Sequence, residues 1–154
     1  MVGMMLTPRK LNAFTMFKLP SAFICGVRTK FIDETKCVVS VKYRWINQNP
    51  FKSMFWAVQG MAAEFSTGAL MMGKIQQSGK RVSMLVTSNT ATFTKKAKGR
   101  IHFTCNDGDL IDDILNKAIE TGEGQTISMK SVGIDEVGDV VSTFVFEWSI
   151  KLKS

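Results

Sequence analysis

The sequence predicts an α+β fold in which a curved antiparallel sheet wraps around one long central α-helix. Two observations carry this reading. Residues 53–73 have helical character, roughly 30 Å at 1.5 Å per residue, and are apolar almost all round: Phe55, Trp56, Ala57, Val58, Met61, Ala62, Phe65, Leu70 and Met71. Such a helix must be buried on most sides. The flanking runs alternate apolar and polar residues, as strands with one covered face do. Only a sheet that curls can cover a helix so completely.

In chain order, Pro8–Lys18 reads as a short helix with Pro8 in its first turn and Leu11, Phe14 and Phe17 on one side; Pro20 ends it. Strand-like runs follow at about 25–32 and 36–46. In the second, Cys37, Val39, Val41, Tyr43 and Trp45 share a face, with Lys42 and Arg44 opposite. Asn49-Pro50 marks a turn, and Ser53 is the expected N-cap of the long helix. The strand rhythm returns at 82–93 and 101–105. A second helix at about 110–120 has Asp109 as cap, Asp112 in its first turn, an Ile111, Ile114, Leu115, Ala118 stripe, and Thr121-Gly122 as its stop. Strands at about 125–132 and 140–152 close the chain. No repeat or linker interrupts the 154 residues, which suit one domain.

Composition narrows the function. Hydrophobic residues at 45% and charged residues at 21% exclude a disordered chain. The formal charge of +7 suits an anionic partner: nucleic acid, an acidic membrane surface or a phosphorylated small molecule. Nucleic acid is disfavoured, because no exposed aromatic residues interleave with the basic turn. The opening MVGMMLTPRKLN lacks the features of a signal peptide, and no apolar run is long enough to span a membrane. Three cysteines without a CxxC spacing point to reduced, packed thiols and a cytoplasmic location. A single histidine, His102, argues against a His-rich zinc site or a Ser-His-Asp hydrolase.

Glu64 stands out. It lies mid-helix among Ala62, Ala63 and Phe65, where a carboxylate is costly unless paired or used. Gly60, Thr67 and Gly68 share its helical face at i−4, i+3 and i+4. Each interior glycine costs the helix about 1 kcal/mol relative to alanine, which suggests close approach by a backbone or a ligand. The alternative is a structural carboxylate bonded to a strand or a cation. Asn49 on its own reads as turn chemistry. Lys95, Lys96, Lys98 and Arg100 read as a solvated turn, or as a phosphate-binding cluster. The ten methionines suggest a deformable interior.

The run Arg44-Trp45-Ile46-Asn47-Gln48-Asn49-Pro50-Phe51-Lys52-Ser53-Met54-Phe55, leading into the helix that carries Glu64, resembles hotdog-fold thioesterases. In many of these a loop Asn or Gln precedes a helical Asp or Glu by 15 residues, the spacing of Asn49 and Glu64 here. Ala91-Thr92-Phe93-Thr94-Lys95-Lys96-Ala97-Lys98-Gly99 is similar to the strand and turn that follow the helix in that superfamily. The Asn-Pro-Phe start, Thr104-Cys105 before an inserted helix, and the closing Phe-Glu-Trp strand resemble a bacterial subgroup known chiefly as a domain of unknown function. The likeness runs from about Leu19 to Leu152. One departure is Phe55-Trp56-Ala57, where many members carry His-Gly-Gly; bulk there narrows the site, changes substrate choice or abolishes hydrolysis.

The resemblance implies a thioester of coenzyme A or of an acyl-carrier protein as substrate, with coenzyme A as part of the substrate and no separate cofactor. Glu64 would be the base or nucleophile, Asn49 would orient water or the carbonyl, and the amides of Phe55 and Trp56 would polarise the carbonyl. Gly60, Thr67 and Gly68 would shape the pocket, and the acyl chain would pass between helix and sheet. Lys95, Lys96, Lys98 and Arg100 would meet the CoA phosphates. It also implies a homodimer, or dimers paired into tetramers, with composite sites. A non-catalytic acyl-CoA binder on the same fold is the alternative.

Overall fold

The computed structural model describes residues 6–153; the first five residues of the opening segment lie outside them. Helix α1 spans Pro8–Lys18. The Thr7 hydroxyl caps it by accepting from the Lys10 amide (3.2 Å), and Pro8 occupies its first turn. Its inward face is Leu11 and Thr15, each 1% exposed, whereas Phe17 is 75% exposed and does not belong to the buried stripe. Pro20 stops α1 and starts a one-turn helix, α2 (Pro20–Ile24), so that Cys25 caps a helix and does not open a strand.

Six strands form one antiparallel sheet in the order β1-β2-β4-β5-β6-β3: β1 Arg28–Ile32, β2 Cys37–Lys42, β3 Val82–Phe93, β4 Arg100–Cys105, β5 Gln125–Ile134 and β6 Val140–Leu152. Period-two burial runs through the central strands. Val39, Val41, Ile101, Phe103, Phe144 and Ile150 point inward and are almost completely buried. The strand at β2 ends at Lys42, four residues before its expected end. The chain turns into a single 3-10 turn at Trp45–Asn47, which leaves Trp45 79% exposed and removes it from the Cys37–Val41 face. The Asn47 side chain makes that turn. Its Oδ1 accepts from the Arg44 amide, and its Nδ2 donates to the Cys25 and Lys42 carbonyls.

The long helix α3 spans Trp56–Ser78 and lies across β2, β4, β5 and β6. Both ends differ from expectation. Ser53 is not its cap, because the Ser53 side chain is bonded to Asn49 in the preceding loop; Phe55 holds the cap position without a side-chain bond. The helix also continues past Gly73 until Gly79, which terminates it in the left-handed conformation (φ 68°). Helix α4 covers Gly108–Thr121 and ends at Gly122, also left-handed. Asp109 lies in its first turn and does not cap it; Asp107 precedes the helix, and its carboxylate accepts from the Lys130 amide.

Besides Lys74, three uncharged polar residues of α3 are buried, and each is hydrogen-bonded. Gln59 Oε1 accepts from Ser142 Oγ (2.7 Å). Ser66 Oγ donates to the Ala63 carbonyl and lies 2.7 Å from Ser131 Oγ. Thr67 Oγ1 donates to the Glu64 carbonyl and accepts from the Trp148 indole (2.9 Å). Cys37 and Cys105 are free thiols that face each other across β2 and β4. Burial pushes both thiols up, Cys105 to about 12, so neither is a ready nucleophile. No helix among the described residues is long and apolar enough to cross a membrane.

Candidate active site

Glu64 occupies the middle of α3 on the face turned toward α1 and α2. The elbow between those two helices, at Leu19, stands over it. Glu64 lines two clefts that share Lys18, Leu19 and Phe65. One, of about 250 Å³, is completed by Phe14, Gly68, Met72, Met84 and Trp148. The other, of about 290 Å³, continues along Pro20, Ser21, Ala22 and Met61. Phe14 stacks on Phe65 with ring centroids 6.4 Å apart, which seats α1 over this part of α3.

The carboxylate itself has no hydrogen bond or ion pair among the described residues, and burial alone pushes its pKa above the ordinary glutamate value. A half-buried carboxylate with a raised pKa, open to a cleft and without a partner, is the arrangement expected of a general base.

The residues grouped around Glu64 in the sequence do not all share its cleft. Gly68 does. A β-carbon there would lie 3.2 Å from Trp148 Cζ2 and 3.9 Å from Glu64 Oε1, so the missing side chain admits the indole and keeps the space beside the carboxylate open. Gly60 is turned toward the Phe144 ring and Thr67 toward the Trp148 indole, and neither lines the clefts at Glu64.

Asn49 lines a different cleft, of about 610 Å³, at the start of α3, with Met54, Phe55, Trp56, Lys95 and Lys96. This cleft and the two at Glu64 have no lining residue in common. Within one chain Asn49 organises its own loop: Oδ1 accepts from the Phe51 amide (2.8 Å), and Nδ2 donates to Ser53 Oγ (3.0 Å). The Phe55 amide is also committed, to the Asn47 carbonyl at 2.9 Å, so it is not a free carbonyl-polarising donor. Trp56 and Ala57 begin the helix, where the first amides lack intrahelical acceptors. The side chains of Phe51, Phe55 and Trp56 are 69%, 45% and 56% exposed.

The basic cluster divides. Lys95 lies 2.7 Å from both Asp135 and Asp139. Arg100 donates to Ser40 Oγ, and its amide to Glu136. Lys96 and Lys98 are exposed. Among the described residues no group of three or more His, Cys, Asp or Glu could hold a metal ion.

Sequence reasoning did not find Phe14, Lys18, Leu19, Met84 or Trp148 as walls of the Glu64 clefts. They come from elements distant in the chain, and the one available signal was the strong apolar content of 11–24.

A six-stranded curved antiparallel sheet around one long helix defines a hotdog fold. The chain belongs to the DUF4442 family, a domain of unknown function whose family model matches residues 7–150. No curated protein matches the sequence. Solved structures share the fold. A Pseudomonas aeruginosa protein of unknown function, described as a probable thioesterase, is 22% identical, with a TM-score of 0.82 over 98% of this chain and 100% of its own. A Chlorobaculum tepidum protein of unknown function is 17% identical, with a TM-score of 0.81 over 96% and 98%. A thioesterase from Haemophilus influenzae is 12% identical, with a TM-score of 0.75 over 99% and 96%.

Proposed function

We propose that the protein hydrolyses an acyl thioester of coenzyme A or of an acyl-carrier protein, with Glu64 as general base. The observation that carries this reading is the Glu64 carboxylate, which is unpartnered and raised in pKa and stands where two clefts meet. In its ionised form Glu64 takes a proton from water as the oxygen attacks the thioester carbonyl. The tetrahedral intermediate collapses by breaking the C–S bond, and the thiolate leaves with the proton held by Glu64. Direct attack by the carboxylate, giving a mixed anhydride that water then cleaves, needs the same group in the same place.

The separation of Glu64 from the Asn49 cleft supports a homodimer with composite sites. In that arrangement the partner subunit brings its helix start against the Glu64 recess, and the helix dipole polarises the carbonyl. Exposed apolar side chains flank both regions, Phe14, Phe17 and Leu19 on one and Phe51, Phe55 and Trp56 on the other, which suits two surfaces that cover each other. Lys96 and Lys98 are the exposed cations left for the CoA phosphates. A cytoplasmic location fits this substrate, and dimers pairing into tetramers fit the same surfaces.

A non-catalytic acyl binder is the second reading. The committed Phe55 amide and the bulky Phe55-Trp56 pair at the helix start favour it.

Free-thiol release from short, long and aromatic acyl-CoAs separates the two readings. Hydrolysis that Glu64→Ala reduces by a hundredfold or more is the expected result. Acyl-CoA that binds and stays intact in the unaltered protein would establish the binder. Sedimentation equilibrium checks the dimer.

A further inference from the structure

We infer that the corner of the molecule where α2 meets the Trp45–Asn47 turn docks on an anionic bilayer surface. Ile24, Trp45 and Ile46 enter the headgroup layer, and Arg28, Lys42 and Arg44 hold acidic lipid headgroups.

The charge of the chain is not spread evenly. Residues 1–63 carry nine Lys and Arg against only Asp33 and Glu34, whereas residues 64–154 carry eleven of each sign, so the whole +7 excess lies in the first part. Both acids are engaged in the β1–β2 turn: Asp33 accepts from the Thr35 and Lys36 amides, and Glu34 binds Lys74. No acidic residue occurs from Thr35 to Ala63.

Part of this excess collects at the other end of the β1–β2 pair. Arg44 Nη2 donates to the Ile24 carbonyl (3.2 Å), and Asn47 Nδ2 donates to the carbonyls of Cys25 and Lys42, so the end of α2 and the turn after β2 form one corner. Arg28 Nη1 donates to the Phe23 carbonyl (2.8 Å) at the same helix end, and its guanidinium lies over the Phe23 ring. Lys42 stands directly across from Arg100 in the β2–β4 register, an unfavourable pairing of like charges. Arg28, Lys42 and Arg44 make no ion pair among the described residues. Burial and the Arg44 charge both lower the Arg28 pKa. Cations gathered in this way without carboxylates favour an anionic surface laid over them.

Three large apolar side chains protrude from the same corner: Ile24, Trp45 and Ile46 are 60%, 79% and 46% exposed. They line none of the clefts at Glu64 and Asn49, and they belong to neither surface assigned to the dimer. An indole and two aliphatic side chains ringed by cations match a lipid interface, which takes the ring at headgroup level, the aliphatic groups just below it and the cations on the phosphates. A nucleic acid would stack on Trp45 but would leave the two isoleucines in water. Helix α2 also walls a Glu64 cleft through Pro20, Ser21 and Ala22. Docking here therefore brings that recess to the layer into which acyl chains partition. This consequence rests on the thioester reading; the docking itself does not.

The test sediments the full-length protein with vesicles of phosphatidylcholine alone and of phosphatidylcholine with an equal part of phosphatidylglycerol. Partition into the anionic vesicles should exceed that into the neutral ones by about tenfold or more, and it should fall as salt is raised. Trp45→Ser and Lys42→Glu, both at exposed positions, should each lower it about tenfold. Lys117→Glu, an equal change of charge at an exposed position on α4, should leave it within about twofold.

Equal partition into the two kinds of vesicle, or no effect of Trp45→Ser, would overturn the assignment. So would a loss with Lys117→Glu as large as that with Lys42→Glu, since net charge alone would then explain binding. An oligonucleotide or an acidic carrier protein held through Lys42 and Trp45 while vesicles are not would overturn it too, as would variants that change only self-association. If vesicles bind as expected while no thioester is cleaved, the hydrolase reading fails and the docking surface stands. If Glu64-dependent hydrolysis proceeds while vesicles do not bind, the docking surface fails and the hydrolase stands.

Discussion

Glu64 and Lys74 are charged residues ten positions apart on the same helix, and the fold treats them in opposite ways. Lys74 is 5% exposed, with Nζ 3.1 Å from Glu34 in the β1–β2 turn and 3.1 Å from Asp112 on α4. Gln77 braces Glu34 from the next turn of α3 (2.8 Å). Burial acts to lower the Lys74 pKa, but the hydrogen bonds and charges of Asp112 and Glu34 outweigh it and hold the ammonium above its ordinary value. Glu64 is half-buried, yet its carboxylate makes no ion pair or hydrogen bond among the described residues, and burial alone acts on it. Where a buried charge serves the architecture, the chain supplies carboxylates from two other elements. The unpartnered carboxylate costs stability for as long as it is ionised, which accords with the role proposed for Glu64 as a base.

That contrast breaks most directly at Glu64. Replacing it with the near-isosteric amide, Glu64→Gln, should lower thioester turnover by about 10²-fold or more and should make the protein more stable at neutral pH. A carboxyl whose folded pKa lies above its unfolded value of 4.5 stays protonated longer in the folded state. Folding stability therefore falls as pH rises through 4.5 to the folded pKa, and it remains lower above that. Thermal melts of parent and variant should coincide well below pH 4.5 and separate in favour of Glu64→Gln at pH 7. In the parent the hydrolysis rate should rise with pH to a plateau, with a midpoint above 4.5. A variant that is less stable at neutral pH would mean that Glu64 has a stabilising partner after all.

The Lys74 side of the comparison predicts the reverse. Removing both acids, Glu34→Ala with Asp112→Ala, strands a buried ammonium and should cost roughly 3 kcal/mol. Lys74→Met keeps the stem, dispenses with the charge and should stay within about 1 kcal/mol of the parent. Asp112→Ala alone should cost about 1 kcal/mol, because that carboxylate is half-exposed and Glu34 remains. Urea midpoints at constant slope measure all three. Turnover should follow only the fraction folded.

The same contrast explains what was legible in the sequence. The long helix and the closing strands were, because a change of period from 3.6 to 2 is a local signal. The continuation to Ser78 was not: Lys74, Gln76 and Gln77 look like the polar end of a helix until Glu34 and Asp112 arrive from elsewhere to bind Lys74 and Gln77. The start at Trp56 was missed for the complementary reason, since Ser53 has the chemistry of a cap but spends it on Asn49. Glu64 was legible as a lone carboxylate in an apolar helix. Its surroundings were not, because the clefts exist only once α1 and α2 fold over α3. Gly60, Thr67 and Gly68 share its sequence neighbourhood but divide between core and cleft according to what β6 places opposite them.

That division gives the smallest and sharpest test. A methyl group at Gly60 would meet Phe144 Cε2 at 3.5 Å, an ordinary contact. Gly60→Ala should therefore keep the gain in helix propensity and stabilise the protein by about 0.5–1 kcal/mol. The same methyl at Gly68 would come within 3.2 Å of Trp148 Cζ2. That ring is 5% exposed and tethered through Nε1 to Thr67, so it has little freedom to withdraw. Overpacking should cancel the gain or exceed it by about 1 kcal/mol, and the methyl would also stand beside the Glu64 carboxylate. Urea midpoints of the two variants should move apart, with hydrolysis impaired only in Gly68→Ala. Equal midpoints and equal rates would show that the space at Gly68 serves neither the indole nor the site, and the glycine would then have no role distinct from that of Gly60.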